Sequence, residues 1–162
     1  MSPNLGSMKR ASRGSTISAA ELAQLNAAIE RASRSDSRIA FENPEHQAPS
    51  QVRLAAIVKK LPATDAVRQA AWLLRAMILV QPFPDGNHRT GVLAADLLLQ
   101  KAGITFRGPP DDGIAFQREV TARRYRLLKG YDDAPLIVLD HWDDEVMECC
   151  ERFVRGGVNQ PD

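Results

Sequence analysis

Apolar residues recur at helical spacing along this chain, and helix-capping residues mark where several of these stretches begin. Ser18 and Glu21 stand three residues apart, as in a capping box, and leucine and isoleucine then recur every three or four residues up to Ile29. This pattern predicts a first amphipathic helix, which ends before the serine-rich stretch 33–37.

Two stretches in the middle of the chain predict a central pair of helices. Thr64 and Asp65 are cap formers, and the segment from there to about Val80 is apolar nearly all round, which indicates a buried helix. A second helix is predicted over about residues 87–101, with Gly103 as its C-terminal cap.

Three further segments complete a helical pattern. Residues 52–61 predict a short helix that ends at Pro62, a helix of mixed charge follows the Pro109-Pro110 pair, and Asp140 is expected to cap a last helix that ends near residue 157. We expect the basic run of the mixed-charge helix to face solvent; it comprises Arg118, Arg123, Arg124, Arg126 and Lys129. The predicted fold class is all-α, a compact helical bundle.

Residues 38–49 interrupt the helical pattern. Asn43-Pro44 and Pro49 disfavour a helix, because a proline lacks an N–H donor and restricts the residue before it. An extended segment or a small β-hairpin is one prediction for this stretch, and a plain surface loop is the other.

Length and composition fit one globular domain. The chain has 162 residues, 44% hydrophobic and 25% charged, and its net charge of +1 does not favour nucleic acid as the main ligand. Cys149 and Cys150 are adjacent, no zinc spacing occurs, and no leader or membrane span is visible, so we expect a cytoplasmic protein without a membrane partner. We predict a disordered, partly vector-derived tail over 1–16, a domain over 17–157 and a tail over 158–162.

A polar segment between the two central helices carries the strongest chemical signal. Asp85, Gly86 and Asn87 are turn and cap formers, so the helix after them should begin with unpaired N–H groups that attract anions. Arg89 in the first turn can bind phosphate oxygens, and Asp85 can hold a divalent cation that bridges phosphates. The alternative is an ordinary turn in which Asp85 and Asn87 only cap the helix and Arg89 is solvated.

The same segment resembles the signature loop of the Fic and Doc (filamentation and death-on-curing) family. That loop begins with His, followed by Pro-Phe, any residue, an acid and Gly-Asn-Gly-Arg. The matching positions here are Pro82, Phe83, Asp85, Gly86, Asn87 and Arg89. Gln81 stands in the place of the His, His88 in the place of Gly or Lys, and Val92 where many AMP-transferring members have a second Arg. The order of helices after the loop is similar to the death-on-curing branch.

The resemblance implies a Mg²⁺-dependent transferase that moves AMP or phosphate from ATP to a Ser, Thr or Tyr hydroxyl of a protein target. Carried over by position, Asp85 would bind the metal, Phe83 would anchor the loop in the core, and residues 38–49 would be a flap that aligns the target by strand addition. The nucleotide phosphates would be bound by Gly86, Asn87, His88 and Arg89.

Gln81 would occupy the position of the catalytic base. Glutamine does not titrate near neutral pH, so it can orient a hydroxyl but cannot take its proton, and we predict weak or no activity. Two functional hypotheses follow: an impaired Fic-type transferase, or a non-catalytic module that binds a nucleotide or a partner in a toxin–antitoxin or regulatory system. An antitoxin or inhibitory partner fits either hypothesis. A purely structural helical module is a third, and it requires a loop that binds nothing.

Overall fold

A computed structural model describes residues 14–108, 112–131 and 133–158. Within those ranges the chain forms α-helices and one short 3₁₀ helix, with no β-strand. The helices are α1 (Ala19–Ser35), α2 (Gln51–Lys60), α3 (Ala66–Val80), α4 (Asn87–Lys101), α5 (Asp112–Leu127), the 3₁₀ helix (Leu136–Leu139) and α6 (Glu145–Val158). The predicted all-α fold is confirmed.

Side chains cap the first three helices. Ser18, Ser50 and Asp65 each accept a hydrogen bond from the backbone N–H three residues further on, which satisfies one of the donors that a helix start leaves unpaired. At α1 the Glu21 carboxylate also accepts from the Ser18 N–H at 3.0 Å, which completes the predicted capping box.

Helix α3 is the centre of the core. Every residue from Gln69 to Val80 is buried, and the helix packs against α4 on one side and α6 on another. Gly91 allows the close approach of α4, because a Cβ atom there would lie 3.0 Å from the Leu74 side chain and 3.1 Å from the Met77 Cβ. This contact fixes the first turns of α4 against α3, and thereby fixes the two ends of the loop that joins them.

One ion pair is buried in this core. Arg75 of α3 is fully buried, donates to both carboxylate oxygens of Asp144 at 2.5 and 3.2 Å, and donates to the Val138 carbonyl at 2.8 Å. Asp144 also accepts the Met147 N–H at 2.9 Å and so caps α6. The prediction that Asp140 caps the last helix is therefore wrong, since Asp140 follows the 3₁₀ helix and contacts Lys60 instead.

The basic run of α5 does not all face solvent, which corrects another prediction. Arg124 donates to the carbonyls of Ile78 at 3.0 Å and Leu79 at 3.3 Å, and Arg123 donates to the Glu145 carbonyl at 2.8 Å. The Arg124 side chain turns inward because the last carbonyls of α3 have no partner within the helix and favour a cation.

Residues 1–13 and 159–162 of the predicted tails lie outside the described residues. The last three residues of the predicted N-terminal tail, 14–16, lie against the domain. Gly14 donates to the Thr64 carbonyl at 3.1 Å, and Ser15 exchanges hydrogen bonds of 2.8 and 2.7 Å with the Gln69 side chain. None of the described helices is both long and apolar enough to cross a membrane.

Candidate functional site

The site is built on the loop 81–86, which joins the end of α3 to the start of α4. Phe83 lies in the core with 4% of its surface exposed. The Asn87 side chain closes the loop, since its Oδ1 accepts the Phe83 N–H at 2.9 Å and its Nδ2 donates to the Phe83 carbonyl at 2.8 Å. Both ends of the Asn87 amide thus bond within the loop, and the Asn87 backbone N–H at the start of α4 stays available for a phosphate.

Asn26 of α1 holds the other side of the loop, and the sequence analysis missed it. Its buried amide donates to the Asp85 carbonyl at 2.8 Å and to the Thr90 hydroxyl at 3.1 Å. Asn26 lies on the same helical stripe as Leu22 and Ile29, both of which are buried. An amide on an otherwise apolar stripe was the available signal, because a buried polar group must find a partner.

The start of α4 has free backbone donors. Gly86 occupies the cap position with φ 75° and ψ 17°, a left-handed conformation that favours glycine, and no side chain caps the helix. The N–H groups of Asn87, His88 and Arg89 have no hydrogen-bond partner within the described part of the chain. Together with the positive end of the helix dipole, these donors suit an anion such as phosphate.

Asp85 and Arg89 lie side by side at the mouth of this helix. Asp85 accepts the Gly86 N–H at 2.7 Å through one carboxylate oxygen and the Glu42 N–H at 2.6 Å through the other. The Arg89 guanidinium donates to the Ala40 carbonyl. Both side chains therefore reach the same short piece of residues 38–49, and Arg89 is not simply solvated as the ordinary-turn alternative requires.

Residues 38–49, the flap segment, form a surface loop with turns, which is the second of the two predictions for this stretch. A hairpin does not form because the local polar groups are used otherwise. The Asn43 side chain donates to the Gln47 carbonyl at 3.0 Å and accepts the Gln47 N–H at 2.9 Å, which closes a turn instead of a strand ladder.

Gln81 follows the last turn of α3 and is exposed. Its backbone is left-handed, with φ 49° and ψ 66°, and its N–H donates to the Met77 carbonyl at 3.1 Å. Two arginines fix the turn before it. Arg124 donates to two carbonyls at the end of α3, and Arg53 donates to the Val80 carbonyl. The position of Gln81 is thus held by the backbone, while its side chain faces solvent.

His88 faces a groove on the other side of the α4 start. The groove lies between α4 and α5 with a volume of about 730 Å³, and its walls are almost entirely apolar. Arg89 and Val92 line it as well, so both unusual positions, His88 and Val92, meet the same groove. Burial, and secondarily the positive charge of Arg124, lower the pKa of His88, and its buried Nδ1 has no hydrogen-bond partner among the described residues.

The residues present fit a magnesium ion only together with phosphates. The described residues contain no cluster of three or more His, Cys, Asp or Glu side chains that could hold a metal. Asp85 alone lies at the phosphate-type helix end, and each of its oxygens has a lone pair left after the hydrogen bonds above. Mg²⁺ is commonly held by one or two carboxylates plus substrate phosphates and water, so a single carboxylate here agrees with a bridging ion.

The predicted site residues thus fall into three groups. Asp85, Gly86 and Arg89 come together at the start of α4. Phe83 and the side chain of Asn87 lie inside the loop and hold it. Gln81 and His88 flank the site, the first at the end of α3 and the second in the groove.

Comparison with known proteins gives one match. A sequence model of the Fic/DOC family matches residues 15–99, which is just over half of the chain and includes α1 to α3, the whole loop and all but the last two residues of α4. Neither the curated proteins nor the solved structures contain a match to the chain.

Proposed function

The chain belongs to the Fic/DOC family, and we propose that it binds ATP with Mg²⁺ as a transferase that lacks its catalytic base. The observation that carries this proposal is the start of α4. Three backbone N–H groups are free there, beside one arginine and one carboxylate. Phosphates would accept from the N–H groups of residues 87–89 and from the Arg89 guanidinium, and Asp85 would hold the Mg²⁺ that shields their charge.

The apolar groove between α4 and α5 is the natural place for the nucleoside. It begins at His88 and Arg89, directly beside the proposed phosphate site, and its volume of about 730 Å³ lies within the usual range of small-molecule sites. A flat base would bury apolar surface there.

Gln81 would decide whether the bound nucleotide reacts. In a Fic-type transfer a base takes the proton of the target hydroxyl, whose oxygen then attacks a phosphorus atom of ATP. Attack at the α-phosphorus transfers AMP and releases pyrophosphate, and attack at the γ-phosphorus transfers phosphate and releases ADP. An exposed glutamine amide can accept a hydrogen bond from this hydroxyl but cannot take its proton. We therefore infer slow or absent transfer to a protein Ser, Thr or Tyr.

The variant Gln81→His tests this inference, with Gln81→Asn as the matched control. Both replacements suit the left-handed backbone at this position, because Asn and His are among the residues that adopt φ > 0 most readily, but only His can act as a base. Labelled ATP and candidate targets would be followed by mass spectrometry. We expect Gln81→His to raise transfer by about 10²–10⁴-fold over wild type and Gln81→Asn not to raise it.

A non-catalytic binding module is the second candidate function, and the exposed, non-titrating Gln81 side chain favours it. In that case the nucleotide or a partner such as an antitoxin would occupy the site without reaction. If wild type, Gln81→His and Gln81→Asn all bind the nucleotide but Gln81→His modifies none of the targets, the result would support this module and contradict the transferase. Strong transfer by wild type would contradict both, since the chain would then use another base.

A further inference from the structure

Residues 40–42 of the flap segment lie directly on the proposed nucleotide site. The Glu42 N–H donates to Asp85 at 2.6 Å, and the Ala40 carbonyl accepts from the Arg89 guanidinium. Between these two bonds, the Phe41 ring lies only 3.2 Å from where a Cβ atom of Gly86 would be. Three consecutive residues of one loop thus contact the acid, the glycine and the arginine of the site.

The two hydrogen bonds depend on the charges of Asp85 and Arg89. Each joins a backbone dipole to an ionised side chain, which makes it stronger than a bond between neutral groups. A Mg²⁺ ion at Asp85 and a phosphate at Arg89 would offset those charges, and the phosphate would also compete with the Ala40 carbonyl for the Arg89 N–H groups. Filling the site would therefore weaken both bonds at once.

We infer that residues 40–42 act as a latch that closes the empty site and that Mg²⁺–nucleotide binding releases. This inference rests on the proposed function, because it assigns a regulation to the same site. The latch is held by backbone groups on the side of the flap segment, so the identities of the Ala40 and Glu42 side chains matter little to it. Both residues are exposed, as a segment that must move requires.

Release of the latch would set the order in which the nucleotide and a protein target bind. The Glu42 N–H and the Ala40 carbonyl become free when the site fills, and an extended peptide can pair with such free backbone groups. A protein target that uses this edge would therefore bind after the nucleotide and not before it.

A matched pair of variants at one position tests the latch. Glu42→Pro removes the N–H that binds Asp85, whereas Glu42→Ala keeps it and changes only an exposed side chain. Calorimetry with Mg²⁺–ATP on the full chain should show about three- to tenfold tighter binding for Glu42→Pro than for wild type, and unchanged binding for Glu42→Ala. Equal affinity of all three proteins, or weaker binding by Glu42→Pro, would overturn the latch and leave the nucleotide site intact. Absence of binding by all three would instead overturn the nucleotide site itself, and the latch with it.

Hydrogen exchange on the wild-type chain avoids any effect of proline on folding. The Glu42 amide should exchange slowly without ligand and about fivefold faster once Mg²⁺–ATP is bound, because its acceptor is then shared with the cation. Protection that stays equal or increases on binding would show that the nucleotide does not release the segment, and the latch would be wrong.

Discussion

The N-terminal ends of α3 and α4 share an aspartate and an arginine, but these residues make different contacts at the two ends. Both helices have 15 residues, an aspartate just before them and an arginine as their third residue. At α3, Asp65 is the cap, and its carboxylate accepts the Arg68 N–H at 3.0 Å. At α4, Gly86 takes the cap position, Asp85 stands one residue further back, and the Arg89 N–H remains free.

This difference of one residue separates a capped helix end from the proposed phosphate site. A side-chain cap satisfies the donors of its own helix and contributes about 1 kcal/mol, whereas an uncapped end keeps those donors for a ligand. The arginines differ in the same way. The Arg68 guanidinium lies over the Trp142 ring at 4.7 Å, while the Arg89 guanidinium lies at the mouth of the site and binds the flap segment.

The largest effect is expected at the loop that precedes α4. Phe83→Ala should lower the free energy of unfolding by about 3–5 kcal/mol, the usual cost of removing a buried phenylalanine, because its ring lies in the core with 4% exposed. Urea unfolding measures this. Phe41→Ala is the matched control, since Phe41 is only partly buried beside the same loop and should cost clearly less. Equal unfolding midpoints for the two variants would show that Phe83 does not anchor the loop.

A smaller effect on stability is expected at Asp65, which differs from Asp85 in its role at the helix start. Asp65→Ala should lower the free energy of unfolding by about 1 kcal/mol through the lost cap and leave the Mg²⁺ dependence of nucleotide binding unchanged. Asp85→Ala should remove that Mg²⁺ dependence. Urea titrations and calorimetry with and without Mg²⁺ would measure both properties. If Asp85→Ala kept its Mg²⁺ dependence, the assignment of Asp85 to the metal would fail.

The smallest effect concerns pH and His88. Burial lowers its pKa in the folded chain, so below about pH 6.5 the unfolded chain binds a proton that the folded chain does not. Wild type should therefore lose stability as the pH falls from about 6.5 towards the lowered pKa, and His88→Gln should lack this loss. Urea titrations between pH 5 and 7.5 would reveal it, and parallel curves for the two proteins would contradict it.

The sequence predicted the parts of the fold that depend on local signals. The caps of α1 and α3, and the extents of α3 and α4, follow from capping residues and apolar spacing, and the structure agrees. The start of α6 was misplaced because Asp140 and Asp144 are equally good cap formers in sequence. Only the buried partner Arg75, brought close by tertiary packing, distinguishes Asp144.

The loop residues of the site could be identified from their order in the sequence. The residues that surround them in the fold could not be predicted. Asn26 and Glu42, which both contact Asp85, are more than 40 positions away from it in the chain, and nothing local links them to it. Arg124 looked like part of a solvated basic run because helical spacing does not say which face meets a neighbouring helix end.

The most direct test of the account is calorimetry of Mg²⁺–ATP binding to wild type, Arg89→Ala and Arg68→Ala. These two arginines occupy the same position in helices of equal length, so the pair separates a charge at the site from a charge at a capped helix end. We expect wild type and Arg68→Ala to bind alike and Arg89→Ala to bind about 10- to 100-fold more weakly, because it loses charge-assisted bonds to phosphate. Equal binding by Arg89→Ala and wild type, or no binding by wild type, would contradict the claim that the start of α4 is a nucleotide-phosphate site.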